Sequence, residues 1–176
     1  MYVPTENEIK FLLDAAKKSS ERDFVMFKVM RELGLSTGEA INVSSNDLDF
    51  KSRVIEVRGL EKKTRKLRIT ERLSKILEKY VEEKKGTTPY LFESRMGGRM
   101  TPRQVQKLMK KYAEKASLRE DLTPMVLRHA FAAEFLKKNG DVLKLKKWLG
   151  HKSFTSLAIY LDTFGDEIGE QTEVIE

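Results

Sequence analysis

The chain has no cysteine, two histidines and four prolines among its 176 residues. Without thiols there is neither a disulfide framework nor a thiolate metal site, and two imidazoles are too few for a histidine centre, so no metal and no cofactor is expected. The missing cysteines say nothing about compartment. No apolar run approaches the roughly 20 residues that cross a bilayer, and no signal-like segment opens the chain, which predicts a soluble cytoplasmic protein without membrane association. Internal repeats and low-complexity tracts are also absent. Only three glutamines accompany the abundant lysine and glutamate, a balance that fits a thermophilic source.

What is present is length for one domain with a core, and too little for two ordinary ones. The charge is positive and unevenly spread. Lysine and arginine number 34 against 27 acidic residues, a net charge of +7. From Asp162 onward come Asp162, Asp166, Glu167, Glu170, Glu173 and Glu176 with no basic residue, so residues 1–161 carry +13. A body that basic favours a polyanion, and nucleic acid is the usual one. The plainer alternative is a solvated Lys/Glu surface.

Periodicity supplies the elements. Thr5-Glu6-Asn7-Glu8 reads as a capping box ahead of Ile9, Leu12, Leu13 and Ala16, predicting a helix from Thr5 to Lys18. A second helix runs from Glu21 to Leu33, with Phe24, Phe27, Met30 and Leu33 inward, Lys28, Arg31 and Glu32 as its polar side, and Gly34 as its stop. Between Asn46 and Ile69 the period changes, and Val54, Ile55, Val57, Leu67 and Ile69 flank the charged run Glu61-Lys62-Lys63-Thr64-Arg65, the pattern of a short antiparallel ribbon. Thr70 caps a helix that turns Leu73, Ile76, Leu77, Tyr80 and Val81 inward. A loop over residues 86–99 with Tyr90-Leu91-Phe92 buried follows, then helices starting at Thr101-Pro102, Thr123-Pro124, Asp141 and Ser153. The expected fold is mainly α with a small antiparallel β ribbon (α+β), comprising one domain over residues 1–162 and an acidic tail over 163–176.

The chemistry concentrates late in the chain. Leu149-Gly150-His151-Lys152-Ser153 stops a helix and delivers an imidazole, and Tyr160 follows nine residues after it. Upstream stands Leu122-Thr123-Pro124-Met125-Val126-Leu127-Arg128-His129-Ala130-Phe131-Ala132. Taken singly these residues have plain readings: Tyr160 as a core tyrosine, Arg128 and His129 as a packed helix pair, His151 as a helix C-cap. Taken together, and in this order behind a Gly-Glu string and a basic ribbon, they resemble the tyrosine recombinases, the phage-integrase and Xer-like DNA strand transferases, from Pro4-Thr5 to about Asp162.

The resemblance implies a pocket of an arginine, a ribbon lysine, a histidine-x-x-arginine box, a second histidine or tryptophan, and a nucleophilic tyrosine that forms a 3'-phosphotyrosine bond with DNA. Arg128, His151 and Tyr160 match the last members. The first arginine belongs in a Thr-Gly-Leu-Arg-x-Ser-Glu string, here Leu33-Gly34-Leu35-Ser36-Thr37-Gly38-Glu39, so Ser36 replaces it while Glu39 is kept. In Val57-Arg58-Gly59-Leu60-Glu61-Lys62-Lys63 the lysine position is taken by Leu60, with Lys62 or Lys63 as substitute acids, and Met125 stands where the box has histidine. Losing one oxyanion-stabilising donor costs on the order of a hundred- to a thousandfold in rate, and a general acid contributes comparably. Three such losses predict a degenerate active site with impaired strand cleavage.

Basic residues form three groups: Lys62, Lys63, Arg65, Lys66 and Arg68 on the ribbon; Arg95, Arg99 and Arg103 around the Gly97-Gly98 turn; Lys144, Lys146, Lys147 and Lys152 before Tyr160. Lys62, Lys63, Arg65, Arg99 and Arg103 are the foremost candidates for contact with double-stranded DNA, which would place the protein at the nucleoid of a prokaryote. Relatives also carry an N-terminal helical domain that clamps the opposite side of the duplex, and without it binding is expected to be severalfold weaker. Three readings stay open: a DNA-binding recombinase-like domain with impaired cleavage, an active site-specific recombinase, and a regulatory module that joins like or other recombinase subunits through its acidic tail.

Overall fold

Six of the seven helices among the described residues begin at a Ser, Thr or Asp whose side-chain oxygen accepts a backbone N–H of the first turn. The computed structural model describes residues 1–59, 63–84 and 88–151, together with Ala158 and Tyr160. The elements are α1 (Glu6–Ser19), α2 (Glu21–Leu33), α3 (Thr37–Asn42), a 3-10 turn (Ser45–Asp47), β1 (Leu48–Asp49), β2 (Val54–Arg58), β3 (Thr64–Arg68), α4 (Glu71–Glu83), α5 (Pro102–Lys115), α6 (Met125–Asn139) and α7 (Val142–Leu149). The expected mainly α architecture with a small antiparallel sheet is the one found. The strands lie in the order β1-β2-β3, with Ile55 opposite Leu67 and Val57 opposite Arg65.

At the centre stands α2, against which α1, α3, α4 and α6 pack. Val25, Met26, Phe27, Val29 and Met30 are fully buried, so it is apolar nearly all round rather than amphipathic. Its expected polar side is therefore corrected. Lys28 and Arg31 are buried too, and they are tolerated because Lys28 pairs with Glu32, and Arg31 with Glu6 of α1 and Glu134 of α6. From α5, Tyr112 donates to the buried Asp23 at 2.6 Å and meets Phe27 edge-on.

The core has two parts. The larger fills the space between α1, α2, α4, α5 and the sheet. The smaller joins α6 to α7 through Phe131, Ala132, Ala133, Leu136, Leu145 and Leu149, and Tyr160 belongs to it. Trp148 packs on both, and its indole N–H donates to the Leu33 carbonyl, one of the orphan acceptors at the end of α2.

Several sequence expectations shift in detail. Helix α3 was not anticipated. Thr123 does not cap α6, whose N-cap is Pro124 with no side-chain hydrogen bond. In the loop before α5, Leu91 and Phe92 are buried, whereas Tyr90 is only partly so. Leu60, Lys62 and Lys152, the start of the Ser153 helix and the acidic tail lie outside the described residues.

Candidate catalytic pocket and nucleic-acid face

Where α2 ends, the chain must reverse, and Gly34 does so at φ 65°, a left-handed conformation that glycine adopts without strain. A β-carbon there would also come within 2.4 Å of Phe131 and 2.9 Å of Leu149, so the turn is pressed against α6 and α7. The next helix starts at once. Ser36 caps α3 by accepting from the Glu39 N–H, and the Glu39 carboxylate accepts the Ser36 N–H at 2.8 Å in return. The residue at the first-arginine position thus spends its hydroxyl on a helix cap.

Glu39 is 7% exposed and holds two guanidinium groups. Arg128, on the second turn of α6, donates from Nη1 to Glu39 Oε2 at 3.1 Å and to the Gly34 carbonyl at 2.8 Å. Its Nη2 donates to the Leu149 carbonyl at 2.9 Å and lies 3.1 Å from His151 Nε2. Arg65 comes from the other side, donating from Nη1 to Glu39 Oε1 and from Nε to the Trp148 carbonyl at 2.6 Å. The two arginines thereby satisfy carbonyls at the C-terminal ends of α2 and α7, where the helix dipole favours a cation. Burial works to raise the Glu39 carboxyl, but Arg65, the Ser36 N–H and Arg128 outweigh it and hold the group below the usual carboxylate range.

Gly150 ends α7 at φ 72°, and the His151 N–H returns to the Lys146 carbonyl at 3.1 Å. Burial, then the positive charge of Arg128, push His151 down to about 4. Guanidinium nitrogens only donate, so Nε2 facing Arg128 must accept, and the imidazole proton is assigned to Nδ1. Tyr160 is buried at 2% exposure, with its ring 5.6 Å from that of His129 and 6.5 Å from that of His151. Burial raises its phenol above the ordinary value, and Arg128, a hydrogen-bonding neighbour, pulls it back. His129 is held low by burial, and its Nδ1 is a buried nitrogen without a hydrogen-bond partner among the described residues.

The structure therefore brings Arg128, His151 and Tyr160 together around Glu39 and Ser36. Met125, at the first turn of α6, is 37% exposed. Lys63 is exposed on the ribbon turn. Sequence reasoning grouped Arg65 with the other ribbon cations as a candidate for DNA contact, and the structure separates it from them by turning its side chain inward. In β3 the exposed residues are Thr64, Lys66 and Arg68, while Leu67 is buried and Arg65 sits on the same inward face. The signal was available, because side chains two apart in a strand share a face, and Leu67 and Ile69 already declared which face points inward.

The outer face keeps Lys63, Lys66 and Arg68 on the ribbon and Arg95, Arg99 and Arg103 beyond it, all exposed. Arg99 reaches back to Asn42 Oδ1 at 2.8 Å, which fixes its direction beside α3. Among the described residues no three His, Asp or Glu side chains are grouped to hold a metal ion, and no helix is long and apolar enough to cross a membrane.

Comparison with known proteins gives a consistent answer. The model of the phage integrase family matches residues 3–166. The tyrosine recombinase XerA of Pyrococcus furiosus is 30% identical over 173 residues, 96% of this chain and 60% of that protein. The tyrosine recombinase XerC of Chromobacterium violaceum is 31% identical over 154 residues, 85% of this chain and 52% of that one. The chain thus spans 60% or less of the length of these curated relatives. A crystal structure of XerA recombinase superposes with a TM-score of 0.85 at 27% identity, covering 100% of this chain and 67% of that one. The XerH recombinase bound to a palindromic difH substrate shares the fold, with a TM-score of 0.79 at 20% identity over 98% of this chain and 52% of that chain. From its sequence and its architecture alike, this chain belongs to the phage integrase family, with the fold of a tyrosine recombinase catalytic domain.

Proposed function

We propose that this chain binds duplex DNA in site-specific recombination or integration, and that its strand cleavage is impaired. The observation that carries the reading is the Arg128 guanidinium, which lies 3.1 Å from His151 Nε2 with the buried Tyr160 ring 6.5 Å from that imidazole, beside a Ser36 hydroxyl that is committed to capping α3. A phosphodiester seated there would meet a nucleophile position and one family arginine. Serine offers no charge in place of the first arginine, and methionine neither donates nor titrates. Leucine at position 60 cannot protonate a leaving hydroxyl, and Lys62 or Lys63 is left as the substitute acid.

DNA as partner is supported by the +13 body and by the neighbours of like fold, XerH on difH substrate and a lambda integrase dimer on a COC' core site. In this reading the protein acts in the cytoplasm and, if its source is a prokaryote, at the nucleoid. Residues 1–162 form the DNA-binding domain, and the acidic tail 163–176 docks on a basic surface of its own domain or of a neighbouring subunit. The test is the salt dependence of binding to a random-sequence duplex, since each neutralised phosphate contributes about −0.9 to the slope of log K against log salt. Replacing Lys63, Lys66 and Arg68 together by alanine should flatten that slope by about two to three. No binding at low salt, or an unchanged slope, would contradict the proposal.

A further inference from the structure

The cluster around Glu39 can be read as a charge balance. Arg65 and Arg128 each bring one positive charge, Glu39 brings one negative charge to both, and Ser36 brings none. The sum is one net positive charge, and without Arg65 it would be zero. The fork of Arg65 is not used up by this. Its Nε is committed to Trp148 and its Nη1 to Glu39, but Nη2 is a buried nitrogen with no hydrogen-bond partner among the described residues. The guanidinium lies over the Gly150 turn, where a β-carbon would come within 3.0 Å of Nη1 and 3.4 Å of Cζ, immediately before His151. Glycine there admits the arginine.

Resting on the DNA reading above, we propose that Arg65 is the residue that gives this pocket its surplus positive charge, supplying from β3 a fixed cation that position 36 lacks, and that Glu39 positions it toward the phosphodiester. A group that only braced the fold would not depend on that sum. The two roles make opposite predictions when the carboxylate is removed as well. Arg65→Gln lowers the net charge from one to zero, and adding Glu39→Gln brings it back to one. Glutamine at position 39 retains the reciprocal cap with Ser36.

Binding of the full chain to a fluorescent random-sequence duplex should be followed against salt for the wild type, Arg65→Gln, Arg65→Lys and the Arg65→Gln/Glu39→Gln double variant, with a melting curve for each. Arg65→Gln is expected to weaken binding about tenfold and to reduce the salt slope by about one, as loss of a charged phosphate contact does. Arg65→Lys should restore the slope, and the double variant should bind more tightly than Arg65→Gln even if it melts lower. A double variant weaker than the single one, or an Arg65→Gln protein with the wild-type slope, would overturn the charge role and leave Arg65 as a brace for α7. If the wild type itself fails to bind the duplex, the DNA reading falls, and this inference with it.

Discussion

At position 151 one hydrogen bond determines what the imidazole can do. Because Arg128 must donate to Nε2, His151 is neutral with its proton on Nδ1, and protonating Nε2 would set two cations 3.1 Å apart in a half-buried site. With a folded value near 4 against about 6.5 in the unfolded chain, the unfolded state takes up the proton first. The stability that neutral His151 contributes is therefore complete above about pH 6.5 and is lost as the pH falls toward 4. Glu39, held below its ordinary range, acts in the same direction at still lower pH. Imidazole ¹⁵N spectra are simple to read in a protein with two histidines, and at pH 6 they should show His151 neutral as the Nδ1–H tautomer. The melting temperature should decline from pH 6.5 toward 4. An imidazolium signal for His151 at pH 6 would refute the geometry drawn around Arg128.

Two glycines on either side of Ser36 show how differently neighbouring elements constrain their residues. Gly34 ends α2 at positive φ with Phe131 and Leu149 against it, so Gly34→Ala adds backbone strain to overpacking and should destabilise the fold by about 3 kcal/mol. Gly38 lies within α3 with nothing inside 4 Å of a built β-carbon, and Gly38→Ala should stabilise by roughly 0.5–1 kcal/mol. Denaturant unfolding of both variants tests the contrast, and equal effects would refute it. Most elements were legible because long periodic segments carry their own caps. The bounds of α2 match the sequence reading residue for residue, and α1 differs by one at each end. What escaped had physical reasons. Six residues of α3 are too few to show a helical period. Arg31 looks like part of a solvent face until its acidic partners on α1 and α6 are known. Arg65 reads as one of several ribbon cations, and only its parity with the buried Leu67 and Ile69 sets it apart from Lys66 and Arg68.

Across the whole molecule, basic groups line the ribbon and the start of α5 while the pocket lies between the ends of α2, β3, α6 and α7. The members Arg128, His151 and Tyr160 were legible as a motif because they fall within a short stretch of chain. The participation of Arg65 was not, since only the sheet register and the end of α7 bring it to Glu39. Under the proposed function the pocket is assembled but short of the groups that speed cleavage, and these groups act as a unit, so single restorations should show little. The direct measurement is covalent adduct formation on a nicked suicide duplex, comparing the wild type with the Ser36→Arg/Leu60→Lys/Met125→His triple variant and with that variant carrying Tyr160→Phe. Impaired cleavage predicts no adduct, or a very slow one, for the wild type, a rate higher by at least about a hundredfold for the triple variant, and none once Tyr160 is removed. A wild-type protein that already forms the adduct at a rate the triple variant cannot improve would contradict it.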